Sequence, residues 1–97
     1  MTRFVDLEKH LQARILEAAR ALKWLAYHTF DARRSAPGFP DLVLVRPPRL
    51  IFAELKSSKG KLTVEQKEWL AVLALIPGVE VYIWKPEDLQ EAILTLR

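Results

Sequence analysis

Three residues whose side chains could hydrolyse a phosphodiester bond lie close together in this sequence. Asp41 follows the run Gly38-Phe39-Pro40, and Glu54 and Lys56 lie in the run Phe52-Ala53-Glu54-Leu55-Lys56. Two carboxylates and one ammonium group on one face of a sheet can hold a divalent metal ion against a phosphate. The chemistry that they predict is metal-assisted cleavage of a nucleic-acid backbone.

Two predicted β-strands carry these residues. Residues 41–45 and 50–56 are apolar and rich in branched side chains, and Arg46-Pro47-Pro48-Arg49 lies between them. Proline cannot continue a strand ladder, so the segment between the strands is predicted to be a turn. The two strands then form a hairpin.

The register of this hairpin decides whether the acidic residues meet. A hairpin centred on Pro47-Pro48 opposes Asp41 to Glu54, with their Cβ atoms roughly 5 Å apart. Lys56 shares the face of Glu54, because side chains alternate along a strand. Two opposed carboxylates repel each other unless a cation lies between them. A β-bulge would shift this register, and a solvated salt bridge at the strand ends is the alternative interpretation.

The composition narrows the kind of metal site. The chain has no cysteine and only two histidines, His10 and His28. These counts exclude disulfides, thiolate zinc sites and a cysteine nucleophile, and they leave too few histidines for a histidine-based zinc site. Oxygen ligands remain, and they favour Mg²⁺ or Mn²⁺.

Length and charge indicate the general class of protein. The 97 residues predict one domain, 1–97, and the net charge of +3 favours a polyanionic partner. No apolar run reaches the roughly 18 residues that cross a bilayer, so no membrane partner is expected. Residues 1–8 carry charges of both signs, which is not typical of a secretory signal. We therefore expect a cytoplasmic protein.

The hydrophobic periodicity predicts the order α-β-β-β-α-β-α, with helices packed on one four-stranded sheet. Thr63-Val64-Glu65-Gln66 has the sequence of a capping box and predicts the start of the second helix. The predicted helices cover residues 6–23, 63–76 and 87–96, and the predicted strands cover residues 24–30, 41–45, 50–56 and 79–84.

The second predicted helix has a further property. Trp69–Ile76 is a run of eight consecutive apolar residues, and a helix that is apolar all round is buried on more than one side. The sheet covers one side, and self-association would cover the other. Cover by the last helix within one molecule is the alternative.

Glu8 lies on the apolar stripe of the first predicted helix, one turn before Leu11. An acidic residue in a first turn is favoured by the helix dipole. The other interpretation is an additional ligand for a metal ion or a water molecule.

The chain resembles the PD-(D/E)XK nuclease superfamily and, more narrowly, a stand-alone VRR-NUC domain. The motif that names the superfamily matches Pro40-Asp41 and Glu54-Leu55-Lys56. The other stretches that carry the resemblance are Tyr27-His28-Thr29, 34–42, Phe52-Ala53, 61–66 and 79–84. The resemblance implies an α/β restriction-endonuclease-like core, with a four-stranded mixed sheet flanked by helices.

The resemblance also implies residue roles. Asp41 and Glu54 would hold the metal together with the carbonyl group of Leu55, and Lys56 would orient the attacking water or stabilise charge on the phosphate. Glu8 matches an acidic residue of the family's first helix and becomes an accessory metal ligand. Gln66 matches a glutamine of the family's site, and its role as capping-box partner of Thr63 is compatible with that.

The implied substrate is DNA, in particular branched DNA such as four-way (Holliday) junctions, cut by a homodimer in a bacterial cell or a virus-infected host. The candidate DNA contacts are loop residues that flank the motif strands, namely Arg33, Arg34, Ser35, Lys59 and Lys61, with Ser58 as a weaker candidate. The alternatives are a non-catalytic DNA-binding module and an accessory subunit of a larger nuclease complex.

Overall fold

The computed structural model of the chain describes residues 4–29 and 36–97, and it describes side chains from residue 8 onward. The element order matches the sequence prediction, with a short 3-10 turn at Pro86–Asp88 before the last helix. The helices are α1 (Phe4–Ala21), α2 (Val64–Leu73) and α3 (Leu89–Thr95), and the strands are β1 (Leu25–His28), β2 (Leu42–Arg46), β3 (Arg49–Leu55) and β4 (Val79–Trp84). The predicted first strand covered residues 24–30, whereas β1 leaves out Trp24 and Thr29; Phe30 lies outside the described residues.

Within the described residues the four strands form one mixed sheet in the order β1-β2-β3-β4. The first three strands are antiparallel, and β4 runs parallel to β3 because α2 makes the crossover between them. The β2–β3 ladder pairs Leu42 with Ala53 and Arg46 with Arg49, without a bulge. The predicted hairpin register centred on Pro47-Pro48 is therefore confirmed.

The two faces of the sheet are covered differently. One face packs against α1 and α3 and holds the hydrophobic core. Its fully buried apolar side chains include Ile15, Leu42, Leu44, Ile51, Leu55 and Leu96. Strand alternation places Phe52 and Glu54 on the opposite face, towards α2. None of the described helices is long and apolar enough to cross a membrane.

The second helix is shorter than predicted. The predicted helix reached Ile76, whereas α2 ends at Leu73. The backbone then tightens, with Leu75 N donating to Val72 O and Ile76 N donating to Leu73 O, which is the i→i−3 pattern that commonly closes a helix. Eight apolar residues in a row therefore favoured a longer helix than the chain forms.

At the hairpin end of the sheet, two arginines flank the buried indole of Trp24. The guanidinium of Arg46 lies 4.5 Å from the ring centroid and that of Arg49 lies 5.0 Å from it. Arg46 donates to Leu22 O after α1, and Arg49 donates to Thr95 O at the end of α3. These cations stabilise both helix C-termini, where carbonyl groups would otherwise lack partners.

Arg49 also forms a bidentate ion pair that should contribute measurably to stability. Its Nε and Nη2 donate to the two carboxylate oxygens of Glu80 at 2.8 and 2.7 Å, and Tyr82 Oη donates to the same carboxylate. The hydrogen bond from Arg49 has the largest effect in lowering the pKa of Glu80 below its usual value, and the hydrogen bond from Tyr82 acts in the same direction. We expect Glu80→Gln to lower the free energy of unfolding by about 1–2 kcal/mol at pH 7, since the pair is partly exposed.

The pH dependence of this effect has a definite sign. A lowered folded-state pKa means that the ion pair stabilises the protein above the ordinary glutamate pKa and is lost as pH falls through the folded-state pKa. Urea unfolding should therefore show a smaller difference between Glu80→Gln and the parent chain at acidic pH. Glu68→Gln, on the exposed surface of α2, is the control. Equal stabilities of the two variants at pH 7 would contradict the prediction.

Candidate active site

Asp41, Glu54 and Lys56 lie together at one end of the hairpin. Asp41 directly precedes β2, Glu54 is the penultimate residue of β3, and Lys56 follows β3. One step beyond the Leu42–Ala53 pair, the register opposes Asp41 to Glu54. The sequence prediction of this arrangement rested on the turn, and the turn lies where it was expected.

Hydrogen bonds fix both carboxylates. Asp41 Oδ2 accepts from the backbone N–H of Leu55 at 2.8 Å. Glu54 Oε2 accepts from Gln66 Nε2 at 2.8 Å and lies 3.8 Å from Lys56 Nζ. The backbone bond therefore ties the segment that enters β2 to the end of β3, and the glutamine ties β3 to α2.

Glu54 is in an environment that opposes its negative charge. Glu54 is 2% exposed. Burial, and after it the charge of Asp41, raises the pKa of Glu54 to about 8, and the charge of Lys56 acts in the opposite direction. Within the described residues, Glu54 Oε1 is buried and has no hydrogen-bond partner. A buried carboxylate oxygen beside a second carboxylate requires a proton or a cation for full stabilisation.

Glu8, on α1, interacts electrostatically with part of this cluster. Burial and then repulsion from Asp41 raise the pKa of Glu8, whereas Lys56 and a hydrogen bond with the backbone of Ser57 lower it. Glu8 therefore lies within electrostatic range of Asp41 and Lys56. The structure therefore brings Asp41, Glu54 and Lys56 together, whereas for Glu8 it shows an electrostatic interaction with Asp41 and Lys56.

The donors fit a hard divalent cation, although the cluster is not a closed cage. In residues 4–29 and 36–97, no group of three His, Cys, Asp or Glu side chains is arranged to hold a metal ion by itself. Mg²⁺, however, is usually held by one or two carboxylates and keeps several water molecules. The carboxylates of Asp41 and Glu54, with the unpartnered Oε1, meet that requirement.

Gln66 makes both of the contacts considered from the sequence. Its side-chain Oε1 accepts from Thr63 N at 2.9 Å, and its backbone N–H donates to Thr63 Oγ1 at 3.1 Å, which completes the capping box. The other end of the same side-chain amide donates to Glu54. The helix cap therefore orients the amide whose N–H₂ group holds the buried carboxylate.

The candidate DNA contacts are partly described. Lys59 and Lys61 are exposed in the loop 57–62 that follows the site. Ser58 is used within the protein, since its Oγ donates to Glu87 Oε1 at 2.9 Å. Arg33, Arg34 and Ser35 lie outside the described residues.

Sequence reasoning missed one basic residue at this end of the sheet, Lys85. The parallel register pairs Leu55 with Trp84, so Lys85 follows β4 beside Lys56, which follows β3. Lys85 Nζ donates to Ser58 O at 3.3 Å. The signal in the sequence was a lysine directly after each of two strands, and it becomes meaningful only when those strands are known to be parallel neighbours.

The buried charge of Glu54 should reduce the stability of the metal-free protein. We expect Glu54→Gln to raise the free energy of unfolding by about 1–3 kcal/mol at pH 8, because the amide keeps the shape and removes a buried charge that lies beside a second carboxylate. Chemical unfolding in the presence of a chelator measures this change in the free energy of unfolding. Glu91→Gln is the control, because Glu91 is exposed. A loss of stability would contradict this prediction.

The sign of the pH effect follows from the raised pKa of Glu54. The folded protein retains a proton that the unfolded chain releases above the ordinary value of 4.5. The stability of the metal-free parent chain should therefore fall between pH values of about 4.5 and 8, and Glu54→Gln should reduce that slope.

Comparison with known proteins agrees with this architecture. A sequence model of the VRR-NUC domain family matches residues 2–85. Solved structures similar to the chain include the following two. One, a "VRR_NUC domain", has a TM-score of 0.71 and 21% identity over 91% of this chain and 95% of its own. The other, a "VRR_NUC domain protein", has a TM-score of 0.67 and 20% identity over 91% and 84%. No curated protein matches the chain.

Proposed function

This chain belongs to the VRR-NUC domain family, which gives it a nuclease-like fold and a DNA-related function, and from that premise we propose that it is a metal-dependent, structure-selective DNA endonuclease. The observation that carries the proposal is the buried carboxylate of Glu54. This carboxyl group interacts with a second acid, Asp41, its Oε1 has no hydrogen-bond partner, and the Lys56 ammonium group lies 3.8 Å from its Oε2. A requirement for a bound cation during catalysis would explain why the protein retains a carboxylate whose burial is energetically unfavourable.

Asp41 and Glu54 would hold Mg²⁺ or Mn²⁺ with the carbonyl group of Leu55, and Glu8 would assist from α1. When bound, the ion would supply a water of lowered pKa and neutralise charge on the phosphate. Gln66 holds Glu54 Oε2, so Oε1 is the oxygen that remains available. The N–H of Leu55 holds Asp41 Oδ2 in the same way.

Lys56 acts at the phosphate. Its side chain is 17% exposed and carries a compact positive charge 3.8 Å from Glu54 Oε2. There it would orient the attacking water or stabilise the negative charge that develops on the phosphate. Its attraction to Glu54 also keeps the ammonium group in place before the substrate arrives.

The DNA would be held through its phosphates. Lys59 and Lys61 flank the site on one side, and Arg33, Arg34 and Ser35 belong to the segment that precedes Asp41. Contacts of this kind fix the position of DNA without reading its sequence, so the shape of the substrate becomes the basis of selection. We propose branched DNA, such as a four-way junction, as the preferred substrate.

A homodimer fits such a substrate, because symmetric cleavage of two strands needs two active sites. We propose that the protomers meet through the end of the 63–76 segment, where Val72, Leu75 and Ile76 are exposed. This apolar surface lies at the opposite end of α2 from Gln66, so DNA binding and dimerisation would not compete. We place the enzyme in the cytoplasm of a bacterial cell or a virus-infected host.

Cleavage of a labelled panel tests the proposed function. Four-way junction, flap, nicked duplex and linear duplex are incubated with Mg²⁺, Mn²⁺ or EDTA. We expect cleavage with Mg²⁺ or Mn²⁺, none with EDTA, and a preference for the junction. Salt-sensitive binding without cleavage in either metal would overturn the proposal and favour a non-catalytic DNA-binding module or accessory subunit.

A further inference from the structure

The segment that leads to Asp41 is packed against the beginning of α2. Trp69 Nε1 donates to the carbonyl oxygen of Pro37 at 3.1 Å. The ring of Phe39 makes edge contacts with Trp69 and with Phe52 of β3, at centroid distances of 5.1 and 6.1 Å. The loop, α2 and the sheet therefore form one contact region next to the site.

Gly38 is at the closest point of that region. Its φ is +86°, and a Cβ atom on it would lie 2.4 Å from the carbonyl carbon of Glu65 and 2.7 Å from the backbone nitrogen of Gln66. These are backbone atoms of the first turn of α2, which cannot rotate away as a side chain can. An ordinary van der Waals contact begins at 3.4 Å, so any side chain at position 38 requires a displacement of about 1 Å.

That first turn carries the residue that holds Glu54. Gln66 donates to Glu54 Oε2 at 2.8 Å from a helix start fixed by the capping box. A shift of about 1 Å exceeds what one hydrogen bond tolerates at this distance. We propose that Gly38 is a positioning residue of the nuclease site. It lets α2 approach closely enough for Gln66 to donate its hydrogen bond to Glu54. It also positions Asp41, which lies three residues later in the chain.

A comparison of two glycine substitutions tests this inference. Gly38→Ala introduces both the strain of a positive φ and the contact with α2. Gly78→Ala is the matched control, because Gly78 has a φ of +84° and a Cβ atom on it would have no neighbour within 4 Å. Both variants bear a similar backbone strain, and only the first should displace α2.

The first readout is the NMR signal of the Gln66 side-chain amide in metal-free protein. In the parent chain it should differ from that of Gln90, which is exposed. In Gly38→Ala we expect it to move towards the Gln90 position, and in Gly78→Ala we expect it to stay. An unmoved Gln66 signal in folded Gly38→Ala would overturn the inference.

The kinetic readout rests on the proposed nuclease function. With metal and saturating junction, kcat of Gly38→Ala should fall by about 10²-fold, the cost of a misplacement near 1 Å, while Gly78→Ala should match the parent chain. The double variant Gly38→Ala with Gln66→Ala should lose little more kcat than the more impaired of the two single variants. If the two substitutions acted independently, their effects on the activation free energy would add. Unchanged kcat in Gly38→Ala, or additivity, would overturn the inference.

Two further outcomes remain decisive. If Gly38→Ala does not fold, Trp69→Phe is used in its place. Trp69→Phe keeps the aromatic contact with Phe39 and removes the hydrogen bond to the carbonyl oxygen of Pro37. A smaller shift of the Gln66 signal in the same direction then supports the inference, and no shift overturns it. If the parent chain cleaves nothing, the proposed function fails, but the NMR comparison still decides whether Gly38 positions Gln66.

Discussion

Lys56→Met is expected to reduce metal-dependent cleavage by roughly 10²–10³-fold, the usual effect of removing one preorganised electrostatic group from an active site. Methionine retains an unbranched stem and removes the ammonium group, with its charge and its N–H donors. The loss should fall on kcat, because the ammonium group acts on charge that develops at the phosphate during the reaction. Single-turnover cleavage of the preferred substrate, with protein in excess, measures the chemical step directly.

Lys67→Met is the matched control for this experiment. Lys67 is exposed on α2, so its substitution changes the net charge by the same amount without reaching the carboxylates. We expect it to cleave as the parent chain does. Full activity of folded Lys56→Met, verified by circular dichroism, would remove Lys56 from the site. Equal losses in both variants would indicate a general effect of charge on DNA binding.

The hairpin was predictable because its determinants are local. Adjacent prolines must leave the ladder, and alternating apolar residues on both sides define which side chains share a face. Fixing the turn at Pro47-Pro48 therefore fixes the pairs from Arg46–Arg49 to Leu42–Ala53. The opposition of Asp41 and Glu54 follows from that register without any knowledge of the remaining chain.

The features that escaped prediction depend on contacts between distant segments. Nothing near Arg46 or Arg49 in the sequence shows that both would flank Trp24 and stabilise two helix ends. The close contact of Gly38 with Glu65 has the same character. A glycine next to proline is expected in any loop, and the need for it here appears only when α2 packs on the sheet.

The end of α2 presents an apolar surface that one molecule leaves in water. Leu75 is 80% exposed and Val72 is 57% exposed, whereas α3 packs against α1 on the other face of the sheet. In the structure, the last helix therefore does not cover this side of α2. A twofold axis would bring the same patch of two molecules together, because an isologous contact is self-complementary.

Leu75→Glu is expected to weaken this dimer by about 10²-fold or more in Kd. Each copy buries one Leu75, each buried leucine contributes roughly 1.5–3 kcal/mol, and the substitution affects both copies. Because Leu75 is exposed in a single molecule, the fold of the protomer should be unaffected. Sedimentation velocity over a concentration series should give twice the monomer mass of 11.2 kDa for the parent chain and the monomer mass for the variant.

Leu94→Glu provides the control, since Leu94 is 55% exposed on α3, away from the proposed interface. It should sediment as the parent chain does. Junction cleavage adds a functional test, because a monomer has one active site and paired cuts in two strands need two. Leu75→Glu should therefore nick junctions without resolving them, at protein concentrations where the parent chain cuts both strands. A parent chain that sediments as a monomer at micromolar concentration would disprove the dimer, and paired cutting by monomeric Leu75→Glu would show that dimerisation is not required.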